Sequence, residues 1–256
     1  MMHAVSDLRI QGLQHERSGM TGIAVRFDAP RHRNALSLAT VEHLHRVLAE
    51  DPVSMVLLGS TTPGIFSAGA DLRAGDRTRA RLSDQLYACY ELMVRRPGLV
   101  IAVVDGPAVG GGAQLTAAAD LRVASTAACW RWVGPRHGLA VGAWILPELV
   151  GRSLALNLTL TGRWLQAQEA VRAGFISDLV ADPWKAALDT GQALAEADPG
   201  ALTLVKQVAT RPGLLQQLAE ERRRNRDGWT GRAPSPQAAA EEGRRSRLTA
   251  GDRSDI

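Results

Sequence analysis

Three consecutive glycines, Gly110 to Gly112, stand between an apolar run at Val100 to Val104 and a helix-like stretch, "AQLTAAAD". Such a triplet is costly inside a strand or a helix, so it marks a strand-to-helix turn where backbone must come close to something. A helix starting there directs unpaired N–H groups and the positive end of its dipole outward, which suits an oxyanion. "GPAVGGG" is not the G-x-G-x-x-G dinucleotide fingerprint, and no G-x-x-x-x-G-K-[ST] phosphate loop occurs in the chain. Taken alone, the triplet fits a tight packing turn as well as a ligand cradle.

The surrounding pattern alternates strand and helix, which predicts an α/β core. Leu8 to Phe27 holds two β-like runs around "ERSGMTG", an expected hairpin, with Ile23, Val25 and Phe27 on one face. Leu38, Val41, Leu44 and Leu48 recur at helical spacing, and Ser37 is placed to cap that helix. A strand is expected at Val53 to Leu58, then a loop carrying "GIFSAGADL" and a charged loop from Arg73 to Arg81. A helix then runs to about Arg95, and the strand at Val100 to Val104 follows. Alternation continues to about Val180; beyond Pro183 the strand signals stop, and helices are expected at about 183–196, 198–209, 212–228 and 236–249. The chain is accordingly divided into a core, residues 1–195, and a helical oligomerisation region, residues 196–256.

Composition narrows the function classes. With 30 basic and 26 acidic residues, the net charge of +4 is small, and arginine clusters such as "ERRRNRD" contain acids and no interleaved aromatics. They read as solvated helix faces, and no nucleic-acid partner is expected. No apolar run approaches the roughly 20 residues that span a bilayer, so membrane insertion is not expected. The opening stretch "MMHAVSDLRIQG" lacks the pattern of a secretory leader, from which a cytoplasmic location follows as an expectation. Cys89 and Cys129 have no metal-ligand spacing and read as small buried hydrophobes; no metal and no cofactor are expected.

Taken together, "RNAL", "FSAGADL", "DGPAVGGG", "ADLRVAS", "LVGRSLALNLTLTGR" and "AQEAVRAGFISDLV" resemble, in order and spacing, the enoyl-CoA hydratase/isomerase (crotonase) superfamily. The resemblance covers nearly the whole chain. It implies a crotonase-type spiral of ββα turns, a helical C-terminal trimerisation region, and a homotrimer or a hexamer formed as a dimer of trimers. It further implies a coenzyme A thioester as ligand or substrate, with the backbone N–H groups of Ala70 and Gly111 as an oxyanion hole. Each such donor contributes about 2.7–4 kcal/mol in catalytic examples. Ala35, Ala68, Asp71 and Leu72 match the positions around the CoA adenine and pantetheine. Arg31 matches a basic position near the CoA phosphates, although "PRHR" offers alternatives on either side. Lys206 could contact a phosphate near a subunit boundary, but a solvated helix charge is the preferred reading.

The acid/base pattern of the family is broken. Its first glutamate falls at Gln114, whose amide cannot exchange a proton near neutral pH. Its second falls at Gly134, preceded by Val133 in place of proline, so both carboxylates are absent. Asp120 matches a structural aspartate. Glu148 reads as a helix-surface residue, and His137 as either a packed histidine or a substitute acid/base group; Asp105 and Asp76 are weaker candidates. Gln114 and Trp144 together resemble a non-hydratase, acyl-CoA-binding actinobacterial branch of the family. Both are expected to face the acyl chain, with core or trimer packing as the alternative for Trp144. The implied function is binding of fatty acyl-CoA thioesters in lipid metabolism with little hydration; the alternative is an active hydratase or isomerase using a non-standard group such as His137.

Overall fold

A computed structural model describes residues 12–18, 22–176 and 179–228. Strands β1 (Gly12–Ser18) and β2 (Gly22–Asp28) form an antiparallel pair, followed by short β3 (Ala35–Leu36) and helix α1 (Leu38–Glu50). The same unit then repeats: β4 (Met55–Ser60), β5 (Gly69–Ala70) and α2 (Asp76–Arg95), then β6 (Val100–Val104), β7 (Pro107–Val109) and α3 (Gly111–Ala118). A last turn opens with β8 (Leu121–Ala124) and β9 (Cys129–Arg131) and continues through α4 (Leu146–Val150), α5 (Arg152–Thr161), β10 (Leu165–Gln166) and α6 (Ala167–Arg172). Helices α7 (Pro183–Ala195), α8 (Pro199–Ala209) and α9 (Leu214–Gly228) complete the described chain.

The long strand of each turn joins one sheet in the order β1-β2-β4-β6-β8, parallel from β2 onward. The short strands build a second layer. β3 pairs with β5, a bridge from Ser67 to Ala108 carries the layer onward, and β7 pairs with β9. This is the spiral of ββα turns expected from the sequence. All five residues of β6 are buried, because both of its faces are covered. Val100, Ala102 and Val104 join the main core, whereas Ile101 and Val103 pack with Leu57 and with Ala187 of α7.

Local signals act as expected in most elements. The Ser37 hydroxyl accepts a hydrogen bond from the Thr40 N–H at 3.1 Å, and Asp182 and Asp198 cap α7 and α8 in the same way. Three expectations need correction. The charged stretch 73–81 is not a loop throughout: α2 begins at Asp76, with Arg79 buried 3.5 Å from that carboxylate. The strand read from Val53 begins instead at Met55, Val53 being largely exposed. Lys206 is not a solvated helix charge. Its ammonium lies buried and donates to Asp120 Oδ2 at 2.9 Å and to the Met93 carbonyl at 2.8 Å, while the same Asp120 oxygen accepts the Val100 N–H at 2.7 Å. The helix expected at 236–249 lies outside the described residues.

This ion pair ties α8 to the start of β6. Burial pushes the Lys206 ammonium below its ordinary range and the Asp120 carboxyl above its own, and the contact between them opposes both. Removing one partner leaves the other as an uncompensated buried charge. Lys206→Ala is therefore expected to lower unfolding free energy by about 3 kcal/mol, read as a fall in the urea midpoint. A loss below about 0.5 kcal/mol, the range of ordinary surface changes, would contradict this account.

Candidate functional site

Asn34 builds the turn on which the site rests. Its carboxamide nitrogen donates to Ser60 Oγ at 2.7 Å and to the Phe66 carbonyl at 3.1 Å, and its oxygen accepts the Ala29 N–H at 2.8 Å. The Ser67 hydroxyl returns a bond to the Asn34 carbonyl at 2.7 Å. This fastens the segment 66–70 against the start of α3. A Cβ on Gly69 would lie 2.7 Å from the Val109 carbonyl oxygen, and one on Gly112 would lie 2.8 Å from Ser67 Cβ, so the contact requires bare backbone on both sides. The Asp71 N–H bonds to the Leu36 carbonyl across the β3–β5 pair at 3.0 Å, so the Ala70 N–H, one residue earlier on the strand, points the other way. Gly111 is the first residue of α3, and its N–H is among those a helix leaves without an intrahelical partner.

A cavity of about 210 Å³ opens at this junction. Its lining includes Arg33, Ala68, Gly69, Ala70 and Leu72, Val109 and Gly110, and Arg131, Val133, His137 and Trp164. Ala68, Ala70 and Leu72 of the expected residues are thus brought together. Arg31 is not in the wall: it lies exposed in the short turn 30–32, and Arg33 takes the place at the cavity. Asp71 is turned toward Arg73, which donates to both of its oxygens at 2.9 and 2.8 Å and holds its carboxyl below the usual range. Ala35 is half-buried in β3. Asp120 is structural, Asp105 accepts a hydrogen bond from Ser125 Oγ, and Asp76 pairs with Arg79. Among the described residues no carboxylate lines the cavity, whereas Arg33, Arg131 and His137 do. Among the described residues no group of three or more His, Cys, Asp or Glu could hold a metal ion.

Behind Gly111 lies a buried polar network. Gln114 Oε1 accepts the Trp144 indole N–H at 2.8 Å and the Gly142 N–H at 3.1 Å. Trp144 is 2% exposed and faces Gln114 and Tyr90 rather than the cavity wall. A residue not singled out in the sequence completes the network: Glu221 of α9 accepts the Tyr87 hydroxyl at 2.6 Å, the Gly142 N–H at 3.1 Å and the Trp144 N–H at 2.8 Å. The reading of "ERRRNRD" as a solvated face holds for Arg223, Arg224 and Arg226, which are exposed, but not for Glu221 and Asn225, which are 5% and 3% exposed. They continue the stripe Leu214, Leu218, Glu221, Asn225, whose helical spacing was the available signal. At the position of the second glutamate, a Cβ on Gly134 would meet the Leu139 carbonyl oxygen at 2.5 Å and Val141 Cγ2 at 2.6 Å. No side chain fits there without moving that backbone.

The sequence model of the enoyl-CoA hydratase/isomerase family matches residues 19–243. The chain belongs to this family. The probable enoyl-CoA hydratase echA6 of Mycobacterium leprae is 32% identical over 224 residues, covering 81% of this chain and 87% of that protein. The probable enoyl-CoA hydratase echA12 of Mycobacterium bovis is 34% identical over 189 residues, covering 66% of this chain but only 65% of its own length. The chain therefore spans less than two thirds of that relative. A solved enoyl-CoA hydratase from Mycobacterium avium subsp. paratuberculosis K-10 shares the fold, with a TM-score of 0.79 at 24% identity over 91% of this chain and 98% of that one.

In this enoyl-CoA hydratase/isomerase family member Glu221 shares the Gly142 N–H with Gln114, and its oxygens are already committed to that group, the Tyr87 hydroxyl and the Trp144 N–H. Burial pushes the Glu221 carboxyl above its ordinary value, and the Tyr87 hydroxyl and the N–H groups of Gly142 and Trp144 partly offset this. A carboxyl whose folded pKa is raised binds its proton more tightly in the native state, so its stabilising contribution is complete below the ordinary value of 4.5 and is lost as pH rises through the folded value. The stability of the wild type minus that of Glu221→Gln should fall as pH is raised from below 4.5 and then level off. Thermal melts across pH 3.5 to about 8 read the difference. A difference that is flat or rises with pH would contradict the burial account.

Proposed function

We propose that the protein binds acyl-CoA thioesters with the carbonyl oxygen held by the N–H groups of Ala70 and Gly111, and that it catalyses hydration poorly. The observation that supports this reading is that Ala70 and Gly110, the neighbour of Gly111, line one cavity whose described lining holds Arg33, Arg131 and His137 and no carboxylate. Two donors fixed before the ligand arrives stabilise a polarised thioester carbonyl without reorganising. Hydration also needs a group to take a proton from water and another to deliver one to carbon, each supplying about 10²–10⁴-fold. Gln114 cannot do this, and Gly134 has no room to. Arg33, with Arg31 nearby in the same turn, suits the CoA phosphates, and Ala68 and Leu72 suit the pantetheine; Ala35 and Asp71 belong to the adenine side of this reading. The role fits fatty acid or lipid metabolism in the cytoplasm; no described helix is long and apolar enough to cross a membrane.

His137 lines the cavity, which favours a second reading as a hydratase or isomerase using that imidazole. Loss of the conjugated absorbance of crotonyl-CoA separates the two. Turnover is expected at least about 10⁴-fold below a two-carboxylate hydratase, and unchanged by His137→Ala. Rapid turnover abolished by that substitution would establish the second reading instead. Calorimetry should show a CoA thioester binding more tightly than the matching free fatty acid; equal affinities would remove the basis for the CoA assignment.

A homotrimer, or a hexamer built from two trimers, is part of the same proposal. Leu204, Val205 and Val208 of α8 are 60%, 68% and 76% exposed along one helix face, an apolar surface that association would cover. Light scattering at micromolar concentration is expected to give a trimeric or hexameric mass. A monomer there would contradict it.

A further inference from the structure

The segment from Ala140 to Trp144 has no regular structure until α4, and its alternate N–H groups are held by side chains of α9. The Ala140 N–H donates to Asn225 Oδ1 at 2.8 Å, and those of Gly142 and Trp144 donate to Glu221. Glu221 is in turn fixed by the Tyr87 hydroxyl, which also accepts from Asn225 Nδ2 at 2.8 Å. These N–H groups are thus held by a helix about eighty residues away, with Gln114 sharing that of Gly142, while the Gly142 carbonyl accepts the Leu146 N–H at 3.0 Å.

What this latch positions is the Trp144 ring. The indole is bonded to Gln114 and lies nearly parallel to Tyr90, at 19° with centroids 6.2 Å apart. Tyr90 closes on the site directly, its hydroxyl donating to the Gly111 carbonyl at 3.2 Å. Beside Gly111 the space is already filled, since a Cβ there would meet Leu86 Cδ1 at 2.8 Å and Tyr90 Oη at 3.5 Å. An acyl chain leaving a carbonyl at Ala70 and Gly111 in this direction meets Leu86 and Tyr90, and behind them Trp144. The open cavity, about 210 Å³, is smaller than the roughly 300–1,000 Å³ usual for small-molecule pockets.

We propose that Glu221 is a positioning residue that sets the longest acyl chain the site accepts, by latching the Gly142–Trp144 segment so that Trp144 and Tyr90 form a stop beyond Gly111. The proposal rests on the thioester-binding reading and adds to it a preference for short acyl groups. Without the Glu221 carboxylate the Gly142 and Trp144 N–H groups lose their ionised acceptor, the segment is released, and the indole no longer blocks the path.

Calorimetric titration of CoA, butyryl-CoA and dodecanoyl-CoA into wild type, Glu221→Gln, Tyr87→Phe and Trp144→Ala tests this, with thermal melts to establish which variants fold. The readout is the ratio of dodecanoyl-CoA to butyryl-CoA affinity, which a general loss of stability would not move. The wild type is expected to bind butyryl-CoA at least as tightly as dodecanoyl-CoA. The ratio should rise about tenfold or more in Glu221→Gln and Trp144→Ala, a change of about 1.4 kcal/mol, and by less in Tyr87→Phe, which removes one of the donors that fix Glu221 and keeps the ring. Glu221→Asp should return part of the wild-type ratio. A wild type that prefers dodecanoyl-CoA tenfold, or a ratio unchanged in the folded Glu221 and Tyr87 variants, overturns the latch while leaving thioester binding intact. Failure of the wild type to bind either thioester overturns the thioester reading itself.

Discussion

Close approach at two glycines, Gly69 and Gly112, is the contact on which the site depends. The segment 66–70 lies against the start of α3 because neither Gly69 nor Gly112 carries a Cβ, which would stand under 3 Å from Val109 or Ser67. That approach brings the Ala70 strand edge and the α3 N-terminus to one cavity. Other features hold it there. Asn34 clamps the turn from below, the β3–β5 pairing fixes which way the Ala70 N–H points, and the fully buried β6 delivers the chain to the glycines. Donors held by secondary structure need no reorganisation when a ligand oxygen arrives, and that is the physical basis of the proposed role for this junction.

The C-terminal helices supply more than an outer cover. α8 inserts the Lys206 ammonium among Asp120 and two carbonyl groups at the entry to β6. α9 inserts Glu221 and Asn225 beside Tyr87 and the segment leading to α4. Burying a charge is tolerable only where geometry satisfies it, and both sites meet that condition with three or more hydrogen bonds. Each charged side chain therefore fixes its helix in a single position. The exposed residues of α8 remain a separate apolar face.

Positions 114 and 134, which by resemblance match the family's two glutamates, have different physical surroundings. Gln114 shares the Gly142 N–H with Glu221. A second carboxylate at 114 would set two like charges about one donor in a buried place, so that one would have to keep its proton. An amide avoids that conflict and still accepts the Trp144 indole. Gly134 is constrained by space, because the backbone at 139–141 leaves no room for a Cβ. The carboxylate that the network does contain belongs to a helix far along the chain and spends its lone pairs on loop N–H groups.

The sequence by itself determined the alternating ββα order, the capped helices α1, α7 and α8, the glycine junction and the family. All of these are local patterns of periodicity, capping and turn chemistry, legible within windows of ten to twenty residues. Ala68, Ala70 and Leu72, all named from the short stretch "FSAGADL", line one cavity. Only the tertiary structure decided that Arg33 rather than Arg31 reaches that cavity, that Trp144 sits behind it, and that Lys206 and Glu221 are buried. A charged residue in a polar helix looks solvated unless its partner is known, and those partners stand 86 residues away for Lys206 and 134 for Glu221. Burial of such groups is a property of the assembled contact and of its local dielectric, which no stretch of sequence encodes alone.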